Sequence, residues 1–403
     1  MQIDIKLHGH LIDGHILSRV LDALGEAGVD HEILSLQIGR TRQDPSDAVI
    51  RLEAADPEAL ESALSRVRDL GAETLMATPA RLLPAPADGV LPEGFYATTN
   101  LPTEVLLGEK WVGVAGEEMD LAVVADPEGG AARSVPMADV RAGEMVVVGE
   151  EGVRVTLPQR DFDPEAFRFM ASEVSAEKPK SLLMKRVIRT LRKVREEGGK
   201  ILLVGGPAII HTGAGPVLEN LIEQGWINIL FAGNALAAHD VEQALLGTSL
   251  GVPVESGGST REGHAHHLWA INAVRRAGSL VAAVESGLLC RGVMHACVRR
   301  GVPFVLAGSI RDDGPLPEVI TDVMAAQRAM RALLPGVGMA IMVGTTLHAV
   351  AVGNLLSARV FTVCVDINPG VVTKLRDRGS RQSVGIVMDA ASFLEQLARG
   401  LGL

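Results

Sequence analysis

The residues best suited to chemistry share one setting, an apolar run that ends in a glycine-rich, polar break. Five such breaks occupy the second half of the chain. They are Val204-Gly205-Gly206-Pro207, Ala232-Gly233-Asn234-Ala235, Ala307-Gly308-Ser309-Ile310-Arg311-Asp312-Asp313-Gly314, Val343-Gly344-Thr345-Thr346-Leu347-His348 and Val365-Asp366-Ile367-Asn368-Pro369. If each run is a strand of one open parallel sheet, loops far apart in sequence converge on one crevice. A nucleotide site can be built this way although the dinucleotide fingerprint G-x-G-x-x-G is absent. Asp366, with Asn368 beside it, can accept both ribose hydroxyls and repel a 2′-phosphate, which favours NAD over NADP. Its alternative role is to cap the helix that starts near Pro369. The backbone N–H groups and hydroxyls of Gly344, Thr345 and Thr346 can hold a pyrophosphate, with His348 facing the nicotinamide or the substrate. Gly213 and Gly215, before the helix of Val217 to Glu223, offer either a second close approach to a phosphate or a flexible turn.

Arg311-Asp312-Asp313 is the most charged break. Two acids beside an arginine suit a substrate carrying amine and carboxylate together: one Asp binds or deprotonates the ammonium, and Arg311 holds the carboxylate bidentately. A solvated turn with a local ion pair is the plainer alternative. The run from Gly257 to His267 holds Arg261, Glu262, His264, His266 and His267. It matches no zinc spacing, so an imidazole acid/base or substrate contact is expected there and no metal. His239-Asp240 offers an acid/base pair or only a helix start.

These loops need elements to position them. Strands are expected at Ile201–Val204, Ile227–Ala232, Leu280–Val284, Phe304–Ala307, Met339–Val343, Phe361–Val365 and Gly385–Met388. Helical stretches between them complete a Rossmann-like, doubly wound parallel sheet over residues 200–403. Ahead of it, residues 1–80 read as β-α-β-β-α-β, the ferredoxin-like α+β order. Residues 81–162 read as a small β-rich domain. Residues 163–199 form a helical connector whose basic run, Lys178 to Arg195, alternates with apolar residues as a solvated amphipathic helix does.

Composition bounds the function. At 403 residues, 47% hydrophobic and 22% charged, the chain is globular and long enough for several domains. A net charge of −11 and 3% aromatic content argue against a nucleic-acid surface and suit a cationic substrate. The sequence shows neither an export signal nor an apolar run long enough to span a membrane. Its three cysteines lack metal spacing, so a cytoplasmic, reducing setting is expected.

At these residues the chain resembles a known family. Gly9-His10-Leu11-Ile12-Asp13 and Ile38-Gly39-Arg40 resemble the domain shared with the bifunctional lysine-oxoglutarate reductase/saccharopine dehydrogenase (LOR/SDH). Thr98 through Val105, Ala232 through Ala237, Gly247 through Gly251, Leu306 through Pro317 and Val365 through Pro369 resemble the archaeal-type NAD-dependent ornithine cyclodeaminases. The same type also forms the C-terminal half of bifunctional arginine dihydrolase–ornithine cyclodeaminases. The resemblance implies conversion of L-ornithine to L-proline and ammonia, with bound NAD cycling through NADH. It implies dinucleotide contacts at Asn234, Ala235, Asp312, Thr345, Thr346, Leu347, His348, Asp366, Met388 and Asp389. Thr346 stands where the family pattern has Met. A base must free the α-nitrogen before Cα is oxidised, and Asp313, Asp312 and His264 are the candidates, with Arg311 or Arg261 on the carboxylate. Two alternatives stay open: a dehydrogenase of lysine, saccharopine or a polyamine, and a non-catalytic NAD-binding protein. A homo-oligomer is expected.

Overall fold

The computed structural model describes residues 2–12, 15–40, 44–68, 70–74, 78–156, 180–250, 252–253, 265–312, 314–377 and 384–403. The chain divides into two compact units, residues 1–167 with 357–359, and residues 168–356 with 360–403.

The first unit begins with strand Gln2–Gly9, helix Ile16–Glu26, strands Asp30–Gln37 and Ser46–Glu53, helix Pro57–Arg68 and strand Glu73–Thr74. In space the strands lie second, third, first, fourth, all antiparallel, which is the ferredoxin-like order. Alternation explains the layering. Ser46, Ala48, Ile50 and Leu52 point to one face, where the aliphatic residues among them join Leu17, Val20, Leu24, Leu60 and Val67 in one core. A seven-stranded sheet follows, running in chain from Arg81–Pro84 to Val153–Val155. Only its pairing of Lys110–Ala115 with Ala131–Val135 is parallel. Arg68 bridges to Glu150 at 3.3 Å and Arg154 to Glu73 at 3.5 Å, linking the two parts of this unit.

The second unit carries a seven-stranded, wholly parallel sheet. From edge to edge its strands are Val319–Ile320, Phe304–Ala307, Ile229–Gly233, Lys200–Gly205, Val337–Val343, Phe361–Asp366 and Val384–Val387. Its central strands are near-continuous Val, Ile, Leu and Ala, as burial on both faces demands. Distinct apolar cores lie on the two faces, one containing Leu203 and Leu230, the other Leu202 and Phe231. The chain starts at Lys200–Gly205, steps outward to Val319–Ile320, then returns to the middle and steps outward the other way. The direction reverses between Lys200–Gly205 and Val337–Val343. That reversal opens the crevice where such sheets bind ligands.

One expected strand is overturned. Leu280–Glu285 is a helix, because the Ser279 hydroxyl accepts the Ala282 N–H at 2.9 Å and caps it. Leu280 and Ala283 then share one buried face. A short apolar run carries no period that separates strand from helix. The connector's described part begins with helix Lys180–Glu196, which buries Met184, Val187, Leu191 and Val194 and leaves Leu182 exposed.

Candidate functional site at the carboxyl edge of the sheet

Four of the five polar breaks meet around the reversal. Gly206 N–H donates to the Val343 carbonyl at 2.9 Å, so the first and fourth breaks lie side by side. A Cβ on Gly206 would stand 1.9 Å from the Gly344 carbonyl oxygen, and Gly344 itself has φ +61°. Only glycine fits either position. On the other flank, a Cβ on Gly233 would stand 2.9 Å from His348 Cε1 and 3.6 Å from the Ala307 carbonyl oxygen. The second, third and fourth breaks are therefore packed against one another, with His348 wedged among them. Burial holds the His348 imidazole below its ordinary value, which keeps it neutral near pH 7.

Asn234 and Asp312 tie two strand ends together. Asn234 Nδ2 donates to Asp312 Oδ1 at 3.1 Å, the Ser309 N–H donates to Asp312 Oδ2 at 2.8 Å, and the Leu316 N–H donates to Asn234 Oδ1 at 3.1 Å. Both Asp312 oxygens are thus engaged. Ala235 and Arg311 are exposed beside them. Asp313, His264 and Arg261 lie outside the described residues.

The fifth break extends the site. The Asn368 N–H donates to Asp366 Oδ1 at 2.8 Å, the Gly370 N–H to Asn368 Oδ1 at 2.9 Å, and the Gly344 N–H to the Val365 carbonyl at 3.0 Å. Beyond Asp366 an open cavity of about 510 Å³ is lined by Ile367, Val387, Met388, Asp389, Ser392 and Gln396. Asp389 caps helix Ala390–Leu401, accepting the Ser392 N–H at 2.9 Å, and these hydrogen bonds hold its carboxyl below the usual range. By contrast, helix Leu347–Leu355 has no side-chain cap at Thr346, so its first N–H groups are left for a ligand.

The pieces fit a dinucleotide. Strand, uncapped glycine turn, helix, strand and terminal carboxylate over Val337–Asp366 make the mononucleotide half of a Rossmann fold, with the acid about twenty residues after the turn. Gly206 and Gly344 give the backbone clearance a pyrophosphate requires, and the cavity at Ile367 and Met388 offers an apolar slot for a base. Gly213 and Gly215 stand apart from this role. Gly213 closes the short helix Ala208–His211, and a Cβ on Gly215 would meet Gln243 Oε1 at 3.2 Å, so Gly215 serves helix packing.

One side-chain pair and one helix-start contact escaped the sequence reading. His239 lies in mid-helix and pairs with Glu242 at 2.8 Å, not with Asp240. Asp240 instead accepts the N–H groups of Val293 and Met294, each at 2.8 Å, and holds the start of helix Val293–Arg300. Helical spacing was the available signal, since residues three apart share a face and adjacent ones do not.

Comparison with known proteins agrees with this architecture. Residues 185–397 match the family model of the arginine dihydrolase ArgZ-like C-terminal Rossmann fold, and residues 102–184 match the first region of that C-terminal part. Residues 2–101 match the conserved region of the LOR/SDH bifunctional enzyme. A curated protein of Methanothermobacter thermautotrophicus named ornithine cyclodeaminase is 50% identical over 392 residues, spanning 97% of this chain and 95% of its own. The apo structure of ArgZ, an arginine dihydrolase of cyanobacteria, superposes with a TM-score of 0.84 at 38% identity, covering 100% of this chain and 58% of that one. AgrE of Nostoc, solved in a ternary complex with ornithine and NAD+, gives a TM-score of 0.54 at 42% identity, covering 100% and 57%. The chain belongs to the ArgZ-like C-terminal family, in which a LOR/SDH region precedes a Rossmann unit and whose archaeal members are named ornithine cyclodeaminases.

Proposed function

We propose that this protein is an NAD-dependent ornithine cyclodeaminase that converts L-ornithine to L-proline and ammonia. The observation that carries the reading is the meeting of Gly206, Gly233, Asp312 and Gly344–His348 at the reversal of the parallel sheet, with Asp366 on the next strand end. Near-full-length relatives bearing that name, and the ornithine and NAD+ complex of AgrE, support it. Bound along this edge, NAD supplies a two-electron acceptor that is regenerated within each turnover. The chain's own groups do the rest. The Gly344–Thr346 turn and the uncapped helix after it take the pyrophosphate, Asp366 the ribose, and Ile367 with Met388 the adenine. Asn234 and Asp312 fix the strand ends beside the nicotinamide, and neutral His348 borders the same space. Arg311, on the loop of Asp312, takes the substrate carboxylate as a bidentate partner. Asp313, His264 and Arg261 belong to the same proposal as candidates for the base and the second carboxylate contact.

The enzyme is further proposed to act in the cytoplasm and to self-associate. Strand Asp30–Gln37 supports association, because it lies at a sheet edge with Ile33, Leu34 and Leu36 exposed. Purified protein mixed with L-ornithine and substoichiometric NAD tests the activity. Proline and ammonia in equal amounts, both far exceeding the NAD supplied, are expected. One NADH per product would identify a net dehydrogenase, and unchanged amino acids would leave only an NAD-binding protein.

A further inference from the structure

A polar network lies among residues that the proposed function leaves unassigned. Glu242, 0% exposed, accepts three hydrogen bonds: from His239 Nδ1 at 2.8 Å, from the Thr248 hydroxyl at 2.9 Å and from the Leu250 N–H at 3.2 Å. Leu250 sits at φ +53°, a left-handed conformation that a leucine rarely adopts, and in it the Leu250 N–H reaches the buried carboxylate. Thr248 Oγ1 also lies 2.8 Å from His266 Nδ1, and His211 Nδ1 lies 2.7 Å from Ser249 Oγ. The His211 and His239 rings meet edge to face at 4.6 Å, and the His239 and His267 rings lie 6.1 Å apart.

An ionised carboxylate can only accept. With Glu242 ionised, the contact sets the His239 proton on Nδ1 and the lone pair on Nε2, which makes no hydrogen bond among the described residues. A carboxylate that fixes one tautomer and steadies the imidazolium is the arrangement by which histidine serves as a general base. The dyad also stands in the right place. His211 ends the single turn that follows Gly206, and His239 lies in the second turn of the helix that Asn234 starts. They leave the carboxyl edge of the sheet from adjacent strands, His211 after Lys200–Gly205 at the reversal and His239 after its neighbour Ile229–Gly233.

We infer that His239, oriented by Glu242, is the base that takes the proton from the substrate's α-ammonium and later gives it to the departing ammonia. The inference rests on the proposed ornithine chemistry. In the first step one N–H bond of the α-ammonium breaks, its electron pair stays on nitrogen and the proton binds His239 Nε2. The freed pair forms the C=N bond as the Cα–H pair passes to NAD. The δ-nitrogen, having released one proton to solvent, adds its freed pair to that carbon. It then releases a second proton, whose N–H pair forms the ring C=N bond as the C–N bond to the α-nitrogen breaks. His239 returns its proton to that nitrogen, which leaves as ammonia. NAD regains its starting state when it returns the electron pair to the ring carbon. Glu242 is a positioning residue, and both oxygens of Asp312 are already committed to structure.

The test compares wild type with H239N, H239G and E242Q, with H239Q in reserve if H239N does not fold. H239N is expected to lose about 10²–10⁴-fold in kcat, with NAD affinity by fluorescence titration unchanged within about twofold and Tm nearly so. Added imidazole is expected to restore part of the H239G turnover. E242Q is expected to lower kcat more than it raises KM. In ¹⁵N-histidine spectra recorded without substrate, the resonances missing in H239N are expected to report the Nδ1–H tautomer in wild type and a mixture in E242Q. A wild type that makes no proline from ornithine ends both the functional reading and this one. A working wild type beside an H239N that keeps a third of its kcat, an H239G deaf to imidazole, or an Nε2–H tautomer overturns the assignment of His239 alone.

Discussion

At the scale of single residues, two positions carry the proposed dinucleotide site. Gly206 faces the Gly344 carbonyl so closely that a methyl group has no space, and the obstacle is backbone rather than a mobile side chain. Gly206→Ala should displace the Gly344–Thr346 turn, weaken NAD binding by at least tenfold and lower Tm by several degrees. Calorimetric titration and a melting curve read both effects. Under the proposed function Asp366 discriminates by charge, so Asp366→Ser should weaken NAD roughly tenfold and narrow its advantage over NADP. An unchanged NAD/NADP ratio would place the ribose elsewhere. That Asp366 and the glycine-rich turn close neighbouring apolar strands was legible in the sequence, because each polar break ends an apolar run. The Glu242–His239 pair was not, since adjacency in sequence pointed to Asp240 and helix geometry chose the residue three positions on.

At the scale of elements, the contrast among helix starts carries the argument. Ser279, Asp322 and Asp389 each cap their own helix with a side-chain oxygen, whereas the helices starting at Asn234 and Leu347 have none. An uncapped start that faces the crevice leaves N–H groups and the positive end of the dipole for an anion. Thr346→Asp, which brings a fixed negative charge to that start, should raise the Kd for NAD at least tenfold without lowering Tm. A Kd within twofold of wild type would remove the helix from the pyrophosphate site. The same scale explains the misread Leu280–Val284 segment: its apolar run is too short to carry a period, and one serine hydroxyl decided for a helix.

At the scale of the molecule, stability and pH are linked through the buried Asp240. Burial, with Glu219 adding to it, pushes its carboxyl up to about 7 against the opposing hydrogen bonds from Met294 and Val293. The folded protein therefore holds this proton at pH values where the unfolded chain releases it. Its contribution to stability is full below about pH 4 and is lost as pH rises towards 7. Asp240→Asn cannot titrate, so its Tm relative to wild type should climb steadily between pH 4 and 7. Parallel Tm curves would falsify that linkage. The order of the two sheet halves also belongs to this scale. The half proposed to bind the mononucleotide comes second in the chain, after the strands that more often follow it.

The amino-acid order by itself determined the alternation of strands and helices, the ferredoxin-like module and the glycine-rich turns. All of these are written in local period, in turn chemistry and in the few residues that tolerate close backbone approach. Tertiary structure alone decided which turns meet, because a parallel sheet orders its strands by long-range pairing that no local window contains. It alone sent Asp240 to a distant helix start, since buried polar groups take partners from wherever the packed chain brings them.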